Sequence, residues 1–488
     1  MLRSVRCRLV PGLVILGSLT ALRAADPAPL RPTQRTAMED VDRRTDELRL
    51  VNKALWEFAE VGLEEKKSSA LLVEKLREAG FDVRVGVAGM PTAFVASYGF
   101  GKPVIGLLAE YDALPDLSQK VQPTQEPVEE GRPGHGCGHS GLGTGALGAA
   151  LAMKAAMQQH NLKGTLRLFG TPAEETTIGK VYMLLDGAFE DLDACLHWHP
   201  AAKNEVWYGS TKALISAKFT FTGVAAHASG NPESGRSALD GVELMNLGVN
   251  FMREHVKSDA RMHYVITDGG GAPNVVPPHA TVWYYVRADD HRDVERYYEW
   301  VTEIARGAAM MSRTKLQIAI DTDCHELIPN TPLSEAIQNN LERVPRPQFT
   351  AAEQEFARRI QETLAQSPAG FNVGFDDRVH PLNPGTELGK GSTDVGDISW
   401  FIPTGGLRAA CFAAGSPGHC WQNVAAIGST AGDKGIHYAA RVLAATGLDL
   451  LEDPELLAAA RADFQRRMKD RKYTTLIPKG QKVPSRIR

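Results

Sequence analysis

The sequence has no strong excess of either charge, since 54 Lys and Arg residues stand against 58 Asp and Glu residues. No stripe of basic residues interleaved with aromatic ones precedes the short basic end at Lys479–Arg488. Because nucleic-acid-binding surfaces are normally basic, this pattern argues against a nucleic-acid partner. We interpret the basic end itself as a solvated terminus.

Long apolar runs are also scarce. One run near the start of the sequence could be considered as a membrane-spanning segment, but it is short. It covers Leu9–Leu22, is broken by Pro11, and falls below the length of a comfortable membrane span. Arginines precede it and small residues at Ala24–Ala25 follow it, so residues 1–25 are predicted to be a secretory signal peptide. We therefore expect an exported protein, periplasmic or secreted, without a membrane span after leader removal. An uncleaved anchor is the competing interpretation.

Cysteine is rare, with six in 488 residues. Loss of the leader removes Cys7 and leaves five, an odd number for an oxidising compartment. If Cys137 binds a metal, an even number remains, whose pairing the sequence leaves open. Cys195 lies in an apolar strand and is expected to stay a thiol. The other candidates for pairing are Cys324, Cys411 and Cys420.

What the chain does contain is a set of chemically active side chains after predicted strands. The run GHGCGHS at Gly134–Ser140 lies between a predicted strand, Pro103–Leu108, and a predicted helix, Gly141–Gln159. Cys137 and His139 stand one residue apart, and the surrounding glycines allow a bend that turns both side chains toward one ion. α/β sheets place ligands at such strand-to-helix turns. Alone, the motif also fits a packed or capping Cys and His.

The next predicted strand, Gly164–Gly170, ends in two adjacent acids, Glu174 and Glu175. Neither has an obvious Lys or Arg partner in the following residues. Such a pair is tolerated when one acid binds a cation and the other serves as a base with a raised pKa. The alternative is a solvated first turn of the helix predicted at 178–186, where acids favour the helix dipole.

A third apolar strand, Leu192–Leu196, ends in the run HWHP. Strand alternation places His197 and His199 on one face and Trp198 on the other. At most one histidine therefore needs to reach a metal, while the other packs or orients it. A thiol, imidazoles and carboxylates on three successive strand ends are what a metal-activated hydrolytic site requires.

The pattern changes between Ser210 and Asp323, which marks a second domain. Strands and helices alternate there in the order βαββαβ, an order typical of a ferredoxin-like sheet with two helices. The predicted elements are Ile215–Phe221, Ser237–Glu254, His263–Asp268, Ala280–Arg287, Val294–Met311 and Lys315–Thr322.

Several motifs occur together in one order. They are EYDALP at Glu110–Pro115, HGCGHS at His135–Ser140, PAEE at Pro172–Glu175, WHP at Trp198–Pro200, GGAPNVVP at Gly270–Pro277, GSTDVGD at Gly391–Asp397 and PGHCWQ at Pro417–Gln422. With them the chain resembles the aminoacylase and carboxypeptidase G superfamily of two-domain metallopeptidases. The branch it is most similar to is the amidohydrolase branch, in which a Cys-Gly-His turn replaces the usual acidic bridging ligand. Within that branch the motifs are most similar to those of the group that hydrolyses p-aminobenzoyl-glutamate.

The resemblance implies an α/β fold with two parts. A dinuclear-metallopeptidase catalytic domain, a mixed sheet flanked by helices, is expected at residues 36–208 and 324–475. A ferredoxin-like βαββαβ lid and dimerisation domain is expected as an insertion at residues 209–323.

The resemblance also implies the metal ligands. Cys137 would be the thiolate that bridges two ions, and Glu174 would be the general base. His199 is preferred over His197 because the family's ligand stands six residues after the aspartate of that strand, here Asp193. Glu110 is left outside the ligands, and Asp112 is expected only to support one. The remaining ligands would be His139, Glu175 and His419.

The mechanism that follows is amide hydrolysis with two divalent ions, zinc or manganese, with cobalt possible by the same resemblance. A water bridging the ions, whose pKa falls from about 15.7 toward about 7, would be deprotonated by Glu174 and attack the amide carbonyl. Glu174 would then pass the proton to the leaving amine.

Three residues of the lid are implied as substrate contacts. His227 would reach across a dimer interface to the carbonyl oxygen, and Asn274 and Arg287 would bind a substrate carboxylate. From the residues alone, His227 also fits a surface histidine and Asn274 a turn former. Arg287 also fits an ion pair with Asp289–Asp290.

The sequence therefore predicts a metal-dependent amidohydrolase that acts on N-acyl or N-aroyl amino acids similar to p-aminobenzoyl-glutamate, with a free carboxylate on the substrate. The alternatives are a dipeptidase or carboxypeptidase with the same site, and a catalytically silent binding or scaffold relative. A homodimer through the lid is expected by resemblance, and a different partner subunit stays open.

Overall fold

The computed structural model describes residues 29–365, 374–383 and 389–484. The predicted leader at residues 1–25 lies outside them. The strands are β1 (Asp82–Val85), β2 (Phe94–Phe100), β3 (Val104–Ala109), β4 (Gly164–Gly170), β5 (Ala194–Ala201), β6 (Glu205–Trp207), β7 (Ala213–Thr222), β8 (Arg261–Asp268), β9 (His279–Ala288), β10 (Lys315–Cys324) and β11 (Thr404–Ala410). The helices are α1 (Pro32–Arg43), α2 (Thr45–Phe58), α3 (Lys66–Glu78), α4 (His139–His160), α5 (Gly179–Leu185), α6 (Ala238–Met252), α7 (His291–Ser312), α8 (Thr331–Arg343), α9 (Ala351–Gln361), α10 (Val395–Ser399), α11 (Trp421–Ile427), α12 (Thr430–Glu452) and α13 (Pro454–Met468).

The larger sheet has the order β1-β2-β4-β3-β5-β11-β6. Its centre is parallel, because β3 pairs in parallel with both β4 and β5, and β5 pairs in parallel with β11. All residues of β3 are buried, as expected of a strand covered by helices on both faces. The prediction of a mixed α/β sheet flanked by helices is confirmed.

Helix α4 lies against this sheet and is apolar on nearly every side. Its small residues let neighbours approach closely: a Cβ at Gly145 would lie 2.6 Å from the ring of Trp198, and one at Gly148 would lie 3.0 Å from Leu48. A helix that is apolar all round belongs in a protein core. This packing fixes the start of α4, where His139 lies.

The smaller sheet has the order β10-β7-β9-β8, with antiparallel pairs throughout. Helices α6 and α7 pack against it, and the chain order is βαββαβ. Alternating burial along β9 shows that one face of the sheet is apolar and covered. The predicted ferredoxin-like lid is confirmed as a fold.

Two predicted elements end elsewhere in the structure. The sequence predicts that the third strand stops at Leu196, whereas β5 continues to Ala201, because β11 pairs alongside it over that whole length. The spacing of apolar residues also predicts a helix over Ile427–Ala445, but α11 ends at Ile427, and Ser429 caps the new helix α12 by accepting a hydrogen bond from the Gly432 amide.

The interpretation of the basic end as a solvated terminus holds for the exposed side chains of Lys479 and Lys482 but not for Gln481 and Val483. Ile477 is buried beside it, and Val483 packs against the core cluster that contains Tyr182. The amide of Gln481 donates to the Tyr182 hydroxyl at 2.9 Å and to the Ile320 carbonyl at 2.7 Å. Gln481 and Val483 therefore contact the core beside Tyr182 and Ile320. The charge pattern of the sequence did not indicate these tertiary contacts.

Every cysteine in the described part of the chain is a free thiol. The pairing that the sequence left open is therefore absent among Cys137, Cys195, Cys324, Cys411 and Cys420. Within the described ranges, no helix combines the length and the apolar character that crossing a membrane requires.

Candidate metal centre

The candidate ligands come from the carboxyl ends of parallel strands. Asp112 follows β3, the acids follow β4, and His199 lies near the end of β5. Cys137 and His139 lie at the start of α4, and His419 follows β11. Residues that are far apart in sequence therefore meet at one edge of the larger sheet, where α/β proteins bind their ligands.

Cys137, His139 and His199 form a first group. Their ligand atoms all lie within 4.8 Å of one another. Cys137 Sγ is 3.3 Å from His199 Nε2, and the two histidine rings lie edge to face with centroids 5.7 Å apart. A thiolate with two imidazoles is a donor set that suits zinc and related divalent ions.

Hydrogen bonds orient both rings toward this group. His139 Nδ1 donates to Asp112 Oδ1 at 2.8 Å, and His199 Nδ1 donates to the Pro200 carbonyl at 2.7 Å. In the neutral form of each ring, Nε2 then carries no proton and is able to bind a metal. His139 Nε2 is buried and has no hydrogen-bond partner among the residues that the structure describes. The expected supporting role of Asp112 agrees with this geometry.

Cys137, Glu175 and His419 form a second group within the same limit of 4.8 Å. His419 Nε2 is 3.3 Å from Glu175 Oε2, while Glu175 Oε1 is buried and no described residue forms a hydrogen bond with it. The Glu175 amide donates to Asp112 Oδ2 at 2.9 Å, so one carboxylate supports both groups. Because Cys137 belongs to both groups, the structure places it where a bridging thiolate would lie.

The preference for His199 over His197 agrees with the structure. His197 is buried and packs against Trp207, with ring centroids 5.1 Å apart. A Cβ at Gly406 would lie 2.2 Å from His197 Nε2, so the His197 ring packs directly against the backbone of β11 at Gly406. Its role here is packing behind His199.

Unusual backbone conformations hold the acids and the last histidine. Ala173 and Thr177, on either side of the acidic pair, have φ of 57° and 55°, and His419 has φ of 57°. Non-glycine residues in the left-handed region cost on the order of 1–3 kcal/mol each and cluster at functional sites. The Ala173 amide donates to the buried Glu65 Oε1 at 2.8 Å, which fixes this turn.

Glu174 is buried next to the two groups, and its ligand atom lies within 4.8 Å of those of Glu110 and His139. Glu110, which the sequence analysis left outside the ligands, lies next to the centre and belongs to neither of the two groups that share Cys137. Glu110 Oε2 lies 3.4 Å from His139 Nε2, which puts a third carboxylate in direct contact with the site.

The candidate metal centre contains several acidic side chains that lie close together and are shielded from solvent. Burial raises the pKa of Glu175 to about 8, and the nearby carboxylates of Asp112 and Glu110 add to that rise. Burial and Glu110 raise the pKa of Glu174, and burial and Glu175 raise that of the Cys137 thiol. Divalent cations would compensate such a cluster. The donors, the unpartnered atoms and the charges therefore fit a metal centre.

The lid residues are placed differently from one another. His227 and Asn274 are exposed and lie on adjoining loops, where the Ala228 amide donates to the Asn274 carbonyl at 3.0 Å. His227 Nδ1 accepts from the Gly230 amide at 3.0 Å. No contact in the described residues joins His227 or Asn274 to the ligand groups.

Arg287 lies close to the ligand groups and is not paired with Asp289–Asp290, the alternative that the sequence left open. Its guanidinium carbon lies 5.2 Å from the centre of the Tyr285 ring, and its Nε is buried without a hydrogen-bond partner in the described ranges of the chain. Burial and His139 lower the pKa of His419, and the charge of Arg287 adds to this. Arg287 is therefore a half-buried cation near the centre with an N–H group available.

Sequence reasoning missed Lys180, Asp394 and Glu65. Lys180 Nζ lies 2.8 Å from Glu110 and 2.6 Å from Asp394, and all three side chains are buried. The signal for Lys180 was weak, because its partners lie far away in sequence. Asp394 stood in the GSTDVGD motif, but its side-chain partner could not be read from the motif.

The sequence is similar to that of a known peptidase family and of several characterised hydrolases. The model of peptidase family M20/M25/M40 matches residues 106–393. The chain is 40% identical to a subunit of the p-aminobenzoyl-glutamate hydrolase of Escherichia coli (strain K12), over 90% of this chain and 96% of that protein. It is 27% identical to the Xaa-Arg dipeptidase of Mus musculus, over 91% of this chain and 94% of that protein.

Among solved structures, a dinuclear metal binding peptidase of the M20 family from Bacillus subtilis has a TM-score of 0.54 and 17% sequence identity. The match covers 84% of this chain and 99% of that one, and it shows that the fold is shared. The family match covers more than half of the chain and confirms the predicted resemblance. The chain belongs to peptidase family M20/M25/M40 and is a metallo-amidohydrolase.

Proposed function

We propose that this amidohydrolase cleaves the amide bond of N-acyl or N-aroyl amino acids similar to p-aminobenzoyl-glutamate. The observation that carries the proposal is the pair of ligand groups that share Cys137, with Glu174 buried beside them. The identity of 40% to a subunit of the E. coli hydrolase, over nearly all of both chains, supports the substrate class.

We propose two divalent ions as the cofactor, zinc or manganese, with cobalt as a third candidate. Cys137, His139 and His199 would hold one ion, and Cys137, Glu175 and His419 the other. Once bound, such ions lower the pKa of water and polarise a carbonyl group. The mixed sulfur, nitrogen and oxygen donors leave the choice of metal to availability as well as to ligand softness.

Glu174 is the group placed to move the proton. It lies beside the ligands without belonging to either of the two groups that share Cys137. Its carboxylate would take a proton from the attacking water and deliver it to the nitrogen of the leaving amine, as a general base and then a general acid. The raised pKa of Glu174, caused first by burial and then by Glu110, suits a group that must hold a proton during turnover.

Arg287 is the proposed contact for the substrate carboxylate. Its buried and unpartnered Nε can donate to an anion, and an Arg fork binds carboxylates with parallel hydrogen bonds. Asn274, exposed on the lid, would also contact this carboxylate, and His227, likewise exposed, would reach the amide carbonyl oxygen from the lid of a second copy.

The substrate class is tested by amine release from p-aminobenzoyl-glutamate, N-acyl amino acids and dipeptides, with protein purified in manganese or zinc. We expect turnover of aroyl or acyl amino acids and poor turnover of the matching amides that lack a free carboxylate. Arg287→Met should remove this preference by raising KM for the acids alone. Equal turnover of acids and amides by the unaltered enzyme would contradict the role of Arg287, and failure on every substrate would contradict the proposed function.

A dipeptidase is the second candidate. The mouse Xaa-Arg dipeptidase is similar to this chain over 91% of the length of this chain. The same centre can cleave any amide whose product carboxylate contacts Arg287. Preferred turnover of dipeptides in the same panel would favour this alternative. A silent scaffold is disfavoured because all ligand positions and Glu174 carry functional side chains.

We propose a homodimer through the lid. Strand β8 lies at the edge of the smaller sheet, and its Val265 and Ile266 are 62% and 41% exposed. Leu247 and Phe251 on α6 are 52% and 64% exposed. Exposed apolar side chains next to an unpaired strand edge are typical of an interface between sheets. The E. coli relative is named as a hydrolase subunit, which supports a different partner subunit as the alternative.

Size-exclusion chromatography with light scattering tests this assembly. The unaltered protein should elute as a dimer, and Val265→Asp should elute as a monomer, because a charge at the strand edge opposes edge pairing. The matched control is Val85→Asp, since Val85 is 50% exposed on β1, away from the lid. A dimer that survives Val265→Asp would rule out this surface.

We also propose that the protein is exported. The basic, apolar and small-residue pattern of residues 1–25 supports this localisation.

A further inference from the structure

Lys180 is a fully buried cation beside the metal centre. Its side chain is 0% exposed, and its Nζ lies 2.8 Å from Glu110 Oε1 and 2.6 Å from Asp394 Oδ1. The backbone amide of Lys180 also donates to Asp394 Oδ2 at 2.9 Å. A buried lysine without partners is costly, so these two carboxylates are what allows a charge at this position.

Glu110 connects this ion pair to the centre. One of its oxygens is bound by Lys180, while the other, Oε2, lies 3.4 Å from His139 Nε2. Two ligands of one tetrahedral zinc ion, each about 2.0–2.2 Å from the metal, lie about 3.4 Å apart. Glu110 therefore stands within a small movement of becoming a metal ligand.

In the structure Glu110 is held short of that position. Its ligand atoms group with those of His139 and Glu174, but among the described residues they do not form a group with Cys137 or His199. Catalytic metal centres keep a coordination position open for water and substrate, whereas structural centres fill all positions with protein ligands. A further carboxylate on the first ion would close the open position.

We propose that Lys180 is a positioning residue of this centre: its ammonium group, anchored by Asp394, holds Glu110 back from the ion that Cys137, His139 and His199 would bind. The position needed by the reacting water then stays open, and Glu174 stays free to act as the base. This inference rests on the proposed hydrolysis at a two-ion centre.

Lys180→Met tests the role, because methionine has a similar length and no charge. We expect kcat to fall by about 10–100-fold with KM nearly unchanged, since supporting residues around metal ligands have effects of that size. In the cobalt-loaded protein, the visible absorption bands of Lys180→Met should shift, because Glu110 adds a ligand to one ion. An unchanged spectrum together with an unchanged kcat would overturn the proposal.

Second-site changes separate positioning from simple charge balance. If Lys180 acts through Glu110, adding Glu110→Gln to Lys180→Met should restore the spectrum and most of kcat, because an amide is a weaker ligand. Adding Asp394→Asn instead should not restore them. The opposite pattern, rescue by Asp394→Asn alone, would show that Lys180 only satisfies Asp394 and would overturn the proposal.

Glu110→Gln alone keeps the test decisive if Lys180→Met does not fold. This variant retains the Lys180–Asp394 contact and should keep both cobalt ions and the unaltered spectrum. Loss of cobalt would make Glu110 a ligand in its own right and overturn the proposal. The spectra are recorded without substrate, so they test Lys180 separately from the substrate panel, whose failure would contradict only the proposed function.

Discussion

Glu174→Ala should abolish useful amide hydrolysis while both metal ions stay bound. Glu174 lies beside the ligand groups, yet it is absent from the two groups that share Cys137. General-base catalysis contributes about a hundred-fold to ten-thousand-fold, so loss of this carboxylate should reduce kcat by that factor. The measurements are amine release under saturating substrate and metal content by elemental analysis.

The neighbouring residue provides the matched control. Glu175→Ala removes an equally buried carboxylate one position away, but this one pairs with His419 at 3.3 Å and belongs to the second ligand group. We expect it to lose about one ion per chain and to show a lower thermal midpoint in the presence of a chelator. Loss of metal from Glu174→Ala, with metal retained in Glu175→Ala, would exchange the two roles and contradict the assignment.

Cys137→Ala should remove both ions rather than one. Cys137 is common to the two ligand groups, so its loss takes a donor from each of them and leaves two donors in either group. Replacement of the thiolate also leaves Glu174, Glu175 and Glu110 without the compensation that bound cations give. We therefore expect metal content to fall from two ions to fewer than about one per chain, with loss of turnover.

Cys195→Ala is the control for loss of a buried thiol. Cys195 lies on β5 four residues before His199 and is fully buried, but it belongs to no ligand group of the described residues. This variant should keep its metal and its activity, with a modest loss of stability from the small cavity. If Cys137→Ala keeps one tightly bound ion, the thiolate serves only one of the two groups and does not bridge them.

The lid could be predicted well because its signals are local. Alternating burial along β9 and the second half of β7 and the amphipathic helix α7 follow directly from the spacing of apolar residues. The end of β5 could not be predicted in this way. Whether His197 and His199 lie in the strand depends on β11, which is more than 200 residues later and pairs alongside them.

Within the site, the sequence alone determined the inventory of donors and their order at the strand ends, whereas the roles expected of Glu174 and Cys137 came from the family resemblance. Motifs sufficed for this because ligand types and their spacing are properties of short segments. Family resemblance then supplied His419, which no local pattern connects to the other ligands.

Only the tertiary structure decided how the charges around those donors are arranged. It placed Glu110 against His139, buried Lys180 between Glu110 and Asp394, and left Arg287 Nε without a hydrogen-bond partner among the described residues. The Lys180–Asp394 contact spans 214 positions in sequence. The energy of a buried charge depends on every group packed around it, and that set of neighbours exists only after the sheet, the helices and the lid have come together.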